Sequence, residues 1–431
     1  MEHLEKRDLP PPASPEISHS KQPNSSFTML ISILVCAAAF GAISYGKNSV
    51  GTRSEAVTLP AQAVMVPPAS FAVIGANGTF RTEAFDTGFN PTNTTPPFFQ
   101  VFDEAFLKVL GNGATITSVA SNATFAFAHE APIYDPKLDI LTFASNDGGA
   151  LGMSDINHNS KVGQINLKDI PAHLDGTPIE IPVTELNLPD TVQMTNGGTG
   201  PFLGNLLLIT SGRGELPPSI VTVNPSPPHN TTVLLDNYFG RQFNSLNDIK
   251  IHPSGKIFFT DTVYGFLNHF RPLPLLPSQV YRFDPDTGAV RIAATDFDKS
   301  NGIAFNGDGS IAYIADTGAN SGFLGINQTE PATIYAFDVD PKTQAFTNRR
   351  AFAFADSGVP DGVQVDTDGN VYAGCGDGVH VWSSDGTLIG KFFLGTVSAT
   401  MTFAGPGRLI ILAETNIYVA NIAAKSSLFT S

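Results

Sequence analysis

Oxygen-bearing side chains recur at matching positions of three segments that superimpose without gaps. The segments begin at Asn247, Asn301 and Asp361, and each continues as a strand-like run that turns at a glycine eight residues later. Glu130 opens a weaker copy of the same pattern. Two carboxylates and two carboxamides suit Ca²⁺, which binds about six to eight oxygens, whereas Zn²⁺ prefers histidine and cysteine. Asn and Asp also favour turns, but four equivalent positions favour a shared calcium site.

Strands are needed to point these four side chains at one axis. A second, third and fourth strand-like run follows each of the three starts, which are spaced by roughly 55 to 60 residues. A four-stranded meander at that period is the expected unit of a β-propeller blade. Weaker copies from His129, Gln193 and Ala399 give six blades. The sequence therefore predicts an all-β, six-bladed β-propeller with a central calcium site, in which the stretch 114–121 completes the last blade.

Composition divides the chain into four parts. Residues 1–26 form a polar leader, 27–45 an uncharged hydrophobic segment, 46–113 an irregular Pro-rich lead-in and 114–431 the propeller. One short helix is expected within 99–111 of the lead-in. About 20 apolar residues cross a bilayer as a helix, so the segment 27–45 predicts a membrane anchor. A signal segment that is removed by cleavage is the alternative.

Charge and glycosylation motifs indicate where the body of the protein works. The formal net charge of −15 argues against nucleic acid as a partner. Contact with a membrane is expected only through the N-terminal segment. Glycosylation triplets downstream of that segment predict the secretory pathway, with a lumenal or extracellular catalytic domain. These triplets begin at Asn77, Asn93, Asn122, Asn230 and Asn327.

The blade openings LND, SNG and PDG, together with an early AHEAP, carry a family resemblance. In combination they resemble the gluconolactonase–regucalcin family of calcium propellers, and the fungal lactonohydrolases in particular. The resemblance spans roughly residues 65–425 and implies hydrolysis of a lactone of a sugar acid or a related hydroxy acid. It also implies that Glu130, Asn247, Asn301 and Asp361 are the calcium ligands.

A mechanism is expected from that resemblance. Calcium would polarise the lactone carbonyl while a carboxylate or histidine accepts a proton from the attacking water. Asp361 is the first candidate for the base, and His129 and His380 are the alternatives. Asp261, Tyr264 and Asp316 lie one strand outward, and their loops are expected to shape the substrate mouth. A propeller hydrolase acting on an organophosphate or aryl ester, and a non-catalytic binding propeller, are the alternative functions.

Overall fold

The second strand of each blade is apolar along nearly its whole length, and the computed structural model, which describes residues 58–428, explains why. Ile257–Asp261 and Val371–Cys375, for example, are buried at every position. These strands lie between two others of the same sheet, and neighbouring blades cover both faces of that sheet. The outer strands Thr231–Leu235 and Val290–Ala294 are instead partly exposed. Burial on both faces favours continuous apolar runs over alternation.

Six sheets of this kind confirm the predicted all-β, six-bladed propeller. Blades 1 to 3, each from inner to outer strand, comprise Glu130–Asp135, Ile140–Ala144, Val162–Asn166 and Thr184–Glu185; Thr195–Phe202, Asn205–Thr210, Ser219–Val223 and Thr231–Leu235; and Leu246–Ile251, Ile257–Asp261, Gln279–Phe283 and Val290–Ala294. Blades 4 and 5 comprise Ser300–Phe305, Ile311–Asp316, Thr333–Val339 and Phe346–Phe354; and Val363–Val365, Val371–Cys375, Gly378–Trp382 and Leu388–Phe393.

Blade 6 is closed by a strand from the other end of the propeller. Its chain-terminal strands are Thr400–Phe403, Arg408–Ala413 and Asn416–Asn421. Thr115–Ser121 pairs antiparallel with the third of these, with Asn421 opposite Thr115 and Asn416 opposite Ser121. The prediction that 114–121 supplies the missing strand is therefore confirmed. This pairing covers the edge that Asn416–Asn421 would otherwise expose and joins the two ends of the ring in one sheet.

The lead-in forms more structure than expected. Within 99–111 only Phe106–Leu110 is helical, and the residues before it belong to a strand, Phe98–Val101. That strand pairs with the outer strand of blade 5, and Ala63–Met65 pairs with it in turn, so this sheet has six strands. The remaining short elements are a two-stranded hairpin, one helix and three 3₁₀ turns: Asn237–Tyr238 with Arg241–Gln242, Tyr264–Leu267, Pro68–Ser70, Leu167–Asp169 and Gly322–Leu324.

The inner strands contact one another in cyclic order and surround a channel. Glycine makes this close approach possible at the residue that follows an asparagine of the inner strand. A Cβ on Gly302 would lie 2.1 Å from the carbonyl oxygen of Asp361, and one on Gly197 would lie 2.5 Å from that of Asn247. The glycines of the repeated motif thus bring successive inner strands together.

The described part of the chain contains no helix long and apolar enough to cross a membrane. The leader and the hydrophobic segment 27–45 lie outside the described residues.

Candidate metal and catalytic site

A β-bulge at the same place in four blades sets the direction of the channel side chains. The pairing between first and second strands shifts register after Glu130, Thr195, Leu246 and Ser300. Bulges re-aim side chains and end strand pairing. Asn247 directly follows Leu246, and Asn301 directly follows Ser300, so both lie within a bulge. The sequence repeat therefore encodes a shared backbone distortion at one mouth of the channel.

Glu130, Asn247, Asn301 and Asp361 line one cavity of about 190 Å³. Glu130, Asn247 and Asn301 are each only 4% exposed. The Oδ1 atoms of Asn247, Asn301 and Asp361 are buried and have no hydrogen-bond partner within residues 58–428. Ligand atoms of His129, Glu130 and Asp361 lie within 4.8 Å of one another. Buried polar atoms are normally paired, so several unpaired oxygens around one cavity fit a bound cation.

A fifth oxygen, which the sequence analysis missed, joins this set. Asn196 occupies the position in blade 2 that Asn247 and Asn301 occupy in blades 3 and 4, because Thr195 pairs with Thr210 as Ser300 pairs with Asp316. Its Oδ1 is also buried and unpaired. The motif Thr-Asn-Gly at 195–197 matches Ser-Asn-Gly at 300–302 and would have revealed it.

The carboxylate of Asp147 orients the side chain of Asn196. Both Asp147 oxygens accept hydrogen bonds from Asn196 Nδ2 at 3.2 Å, and Ser211 Oγ donates to Asp147 at 2.8 Å. With its amide nitrogen held in this way, Asn196 has only its oxygen free for the cavity that it lines.

The charge balance of the site favours a cation. Burial raises the pKa of Glu130 well above its usual range, and the neighbouring Asp361 raises it further. Burial likewise raises the pKa of Asp361 to about 7, against the opposing effect of His129. Both shifts express the cost of placing negative charge in a buried site without a counter-ion. A divalent cation held by these groups would reverse the shifts.

His129 belongs to a second network at the same mouth. Its Nδ1 lies 2.6 Å from Glu414 Oε1, and Asn146 Nδ2 donates to Glu414 Oε2 at 3.0 Å. Burial alone would lower the pKa of His129, but Glu414 raises it to about 10. The imidazole is therefore protonated at neutral pH and suited to donate a proton. Glu414 was missed because it lies 285 residues from His129 at the end of a blade 6 strand.

Of the three residues expected to shape the mouth, only Tyr264 lines the cavity. Its hydroxyl donates to Thr317 Oγ1 at 2.6 Å. Asp261 and Asp316 are 0% and 1% exposed and do not line the cavity themselves, whereas the loops that follow them reach it through Tyr264 and Asn320. Asp261 accepts from the backbone amides of Asn244 and Ser245, and Asp316 from those of Asp298 and Lys299. These carboxylates fix the loops that lead into blades 3 and 4.

The prediction that His380 is an alternative base is also corrected, because this residue does not line the cavity. It is fully buried on the third strand of blade 5, where Nε2 lies 2.7 Å from Asp377 Oδ1. Lys391 donates to Asp377 at 2.8 Å and to Asp356 at 2.6 Å. Burial and the Lys391 cation lower the pKa of His380, which remains neutral. This blade 5 cluster (Asp356, Asp377, His380, Lys391) is an internal ion network.

Comparison with known proteins identifies the family. The family model described as SMP-30/Gluconolactonase/LRE-like region matches residues 193–414, which is more than half of the chain and contains Asn247, Asn301 and Asp361. The chain therefore belongs to the SMP-30/gluconolactonase/LRE-like family, and the predicted resemblance is confirmed.

Individual relatives agree with this assignment. The chain is 28% identical over 355 residues to lactonohydrolase oryL of Aspergillus oryzae, covering 75% of each protein. It is 28% identical over 166 residues to gluconolactonase of Zymomonas mobilis, covering 37% of this chain and 44% of that protein.

Solved structures share the fold. The chain is similar to a gluconolactonase from Xanthomonas campestris, with a TM-score of 0.59 and 24% identity over 75% of this chain and 93% of that one. It is also similar to the calcium-binding protein regucalcin from Agrobacterium tumefaciens, with a TM-score of 0.52 and 16% identity over 73% and 97%. At these identities the similarity shows only that the fold is shared.

Proposed function

We propose that this protein is a calcium-dependent lactonase that hydrolyses the ester bond of a lactone with water. The observation that carries the proposal is the set of buried, unpaired oxygens of Asn247, Asn301 and Asp361 in the cavity that Glu130 also lines. Family membership and the lactonohydrolase and gluconolactonase relatives support the reaction class.

The donor chemistry supports calcium as the ion. Glu130, Asn247, Asn301 and Asp361 would hold it, with Asn196 as a further oxygen donor. These are hard oxygen ligands, which Ca²⁺ prefers, and their carboxylates carry the negative charge that the ion would offset. When bound, calcium would polarise the lactone carbonyl and stabilise negative charge on its oxygen.

Asp361 is the proposed general base. Its Oδ1 has no hydrogen-bond partner among the described residues, so this carboxylate can approach a water molecule in the cavity. Its position in the cavity lets it accept a proton from an attacking water. A covalent intermediate is not needed, because no nucleophilic serine or cysteine belongs to the described lining of this cavity.

His129 is the proposed proton donor rather than an alternative base. Ring opening releases an alkoxide, which needs a proton to leave as a hydroxyl group. Glu414 holds the protonated imidazole through Nδ1 at 2.6 Å, and a ring nitrogen of His129 lies within 4.8 Å of Asp361 and Glu130 ligand atoms. The donor and the acceptor of protons thus lie just before the inner strands of blades 1 and 5, and both line one cavity.

Hydrolysis at constant pH tests the proposal. The full-length protein is incubated with glucono-, galactono- or pantoyl lactone, phenyl acetate or an organophosphate. The rate at which base must be added to hold the pH constant measures hydrolysis. Lactones are expected to be the best substrates, and Glu130→Gln is expected to abolish their hydrolysis. The matched control is Glu185→Gln on an exposed outer strand, which should retain activity. Preference for the organophosphate or the aryl ester, or turnover of none of them, would contradict the proposal.

We also propose that the catalytic body is lumenal or extracellular and glycosylated, with residues 27–45 as its anchor or signal. All five predicted acceptor asparagines are exposed, which is compatible with glycan attachment. Glycosidase treatment of the protein isolated from its own source should lower its apparent mass. An unchanged mass, with unmodified asparagines by mass spectrometry, would contradict this location.

A further inference from the structure

A second pocket of about 380 Å³ opens beside the metal cavity, and its walls are of different chemistry. The two spaces share His129, Asn146, Asn320, Val359 and Asp361, so they are continuous. Carboxamides dominate the remaining lining of the first cavity. Apolar side chains contribute most of the wall of the second, which we call the apolar pocket: Phe85, Ala319, Ile326, Val359 and Val397.

Part of this wall comes from the lead-in, outside the residues that match the family model. The carbonyl oxygen of Phe85 accepts from the amide of Gly358 at 3.1 Å, and that of Asp86 accepts from Ser357 Oγ at 3.2 Å. Arg81 donates to Asp356 at 2.7 Å, which joins the lead-in to the blade 5 cluster. The Phe85 ring is therefore held in place beside the channel mouth.

The charge around both spaces restricts the ligand. The described residues that line them include no lysine or arginine, and the His129 imidazole is paired with Glu414, while Asp86 and Asp361 also line the apolar pocket. A ligand with a carboxylate of its own would meet like charge there. Among the described residues that line the apolar pocket alone, only Asp86 and Glu414 have polar side chains, and Glu414 is already paired with His129 and Asn146. Hydroxyl groups on a substituent would therefore find few partners there, at a cost in desolvation.

We propose that the preferred substrate is a neutral lactone that carries an apolar alkyl or aryl substituent. The ring and its ester lie in the polar cavity, and the substituent fills the apolar pocket. This inference rests on the proposed lactonase function and narrows its substrate class from polyhydroxylated sugar lactones to hydrophobic ones. The reaction is unchanged, since water adds across the ester to give a hydroxy acid.

A series with a constant ring tests the proposal. The full chain is assayed with δ-valerolactone, with δ-lactones bearing alkyl groups of one to six carbons, and with glucono-δ-lactone. We expect kcat/KM to rise by about fourfold per methylene until the pocket is filled, because each buried methylene contributes about 0.8 kcal/mol. A flat series, or a best rate with glucono-δ-lactone, would overturn the inference and leave the lactonase proposal standing. Turnover of no lactone would overturn both.

Two substitutions place the effect in the pocket. Phe85→Ala removes one wall and should reduce the ratio of kcat/KM between the longest and shortest substrates by about tenfold. Val397→Thr keeps the size, adds a hydroxyl and should reduce the same ratio less. Phe80→Ala on the same lead-in is the control, since Phe80 is exposed and lines neither space. An equal ratio in Phe85→Ala and Phe80→Ala, with both folded by circular dichroism, would contradict the assignment.

Discussion

The channel mouth and the interior of blade 5 each bury a histidine beside a carboxylate, at 2.6 Å for His129 and Glu414 and 2.7 Å for His380 and Asp377. In blade 5 the carboxylate is fully occupied, since Asp377 also accepts from Lys391 and from the amide of Phe89. At the channel mouth, the Oδ1 atoms of Asn196, Asn247, Asn301 and Asp361 have no hydrogen-bond partner in the part of the chain that the structure describes. Among the described residues, the first arrangement satisfies its carboxylate and leaves only His380 Nδ1 without a partner, whereas the second leaves four oxygens unpaired around one cavity.

An unpaired oxygen separates the two regions better than a shifted pKa does. Burial raises the pKa of Asp361 to about 7, but it also raises that of Asp261 to about 7. Asp261 is structural, because backbone amides occupy its carboxylate. The pKa of Asp377 lies well below its usual range, because His380 and Lys391 outweigh the effect of burial. The need for a partner, not burial itself, therefore marks the functional site.

Asp361→Asn should show the largest effect. The amide keeps the size and one oxygen ligand, so calcium should still bind, though more weakly. It cannot accept a proton, and loss of a general base typically costs about 10²–10⁴-fold in rate. The measurement is the rate of lactone hydrolysis at saturating calcium. Recovery of the wild-type rate with excess calcium would reduce Asp361 to a ligand and leave the base to be sought elsewhere.

Asp377→Asn is the same substitution made in the blade 5 cluster, and it should lower the free energy of unfolding instead of the rate. Removing one partner of a buried ion pair leaves Lys391 and His380 with weaker compensation, which typically costs about 3–5 kcal/mol. Denaturant unfolding should show this loss, while the hydrolysis rate per folded molecule with an unsubstituted lactone stays close to wild type. A folded variant with normal stability and no activity would move the catalytic site to blade 5.

Asn301→Ala should weaken metal binding without removing the base. Even partners that only support a metal ligand typically contribute about 10–100-fold in affinity, and loss of a direct ligand should cost at least as much. Raising free calcium should therefore restore part of the activity, in contrast to Asp361→Asn. Calcium titration of both variants, compared as rate at saturation, measures the difference. Equal maximal rates in the two variants would show that their roles do not differ.

A smaller effect concerns pH. The pKa of folded His380 lies below its ordinary value of about 6.5, so the unfolded chain binds this proton first as the pH falls. Above about pH 6.5 this histidine therefore does not reduce the free energy of unfolding. Below that pH the free energy of unfolding falls as the unfolded chain takes up the proton, by at most about 1.4 kcal/mol per pH unit. Unfolding of His380→Gln should depend less on pH between 7 and 5 than that of the exposed control His173→Gln. Parallel pH curves would contradict the neutral assignment.

The repeated part of the molecule was predictable because one physical pattern recurs. Asn247, Asn301 and Asp361 share the same spacing to their turn glycine, and each heads a strand whose partner is buried on both faces. The six blades and the cavity shared by the four predicted ligands follow from that repetition. Asn196 was hidden because its strand, with three glycines and a proline, lacks the usual apolar run.

The errors arise where contacts cross the ring or where strands bulge. Glu414 and the strand Phe98–Val101 have partners nearly 300 residues away, which no local pattern encodes. The loops of Asp261 and Asp316 were expected at the mouth, and they do reach the cavity, but the two carboxylates themselves do not line it. The register shifts beside them leave their carboxylates facing the backbone amides of the preceding loop.

Calcium removal tests the central claim most directly. The protein is exhaustively treated with chelator, shown to be metal-free by elemental analysis, and then titrated with Ca²⁺ while heat, melting temperature and lactone hydrolysis are recorded. We predict one tight site per chain, loss of hydrolysis in the metal-free protein, and recovery of both activity and melting temperature on titration, because a ligand bound only by the folded state stabilises it. Full hydrolysis by the metal-free protein would contradict the account.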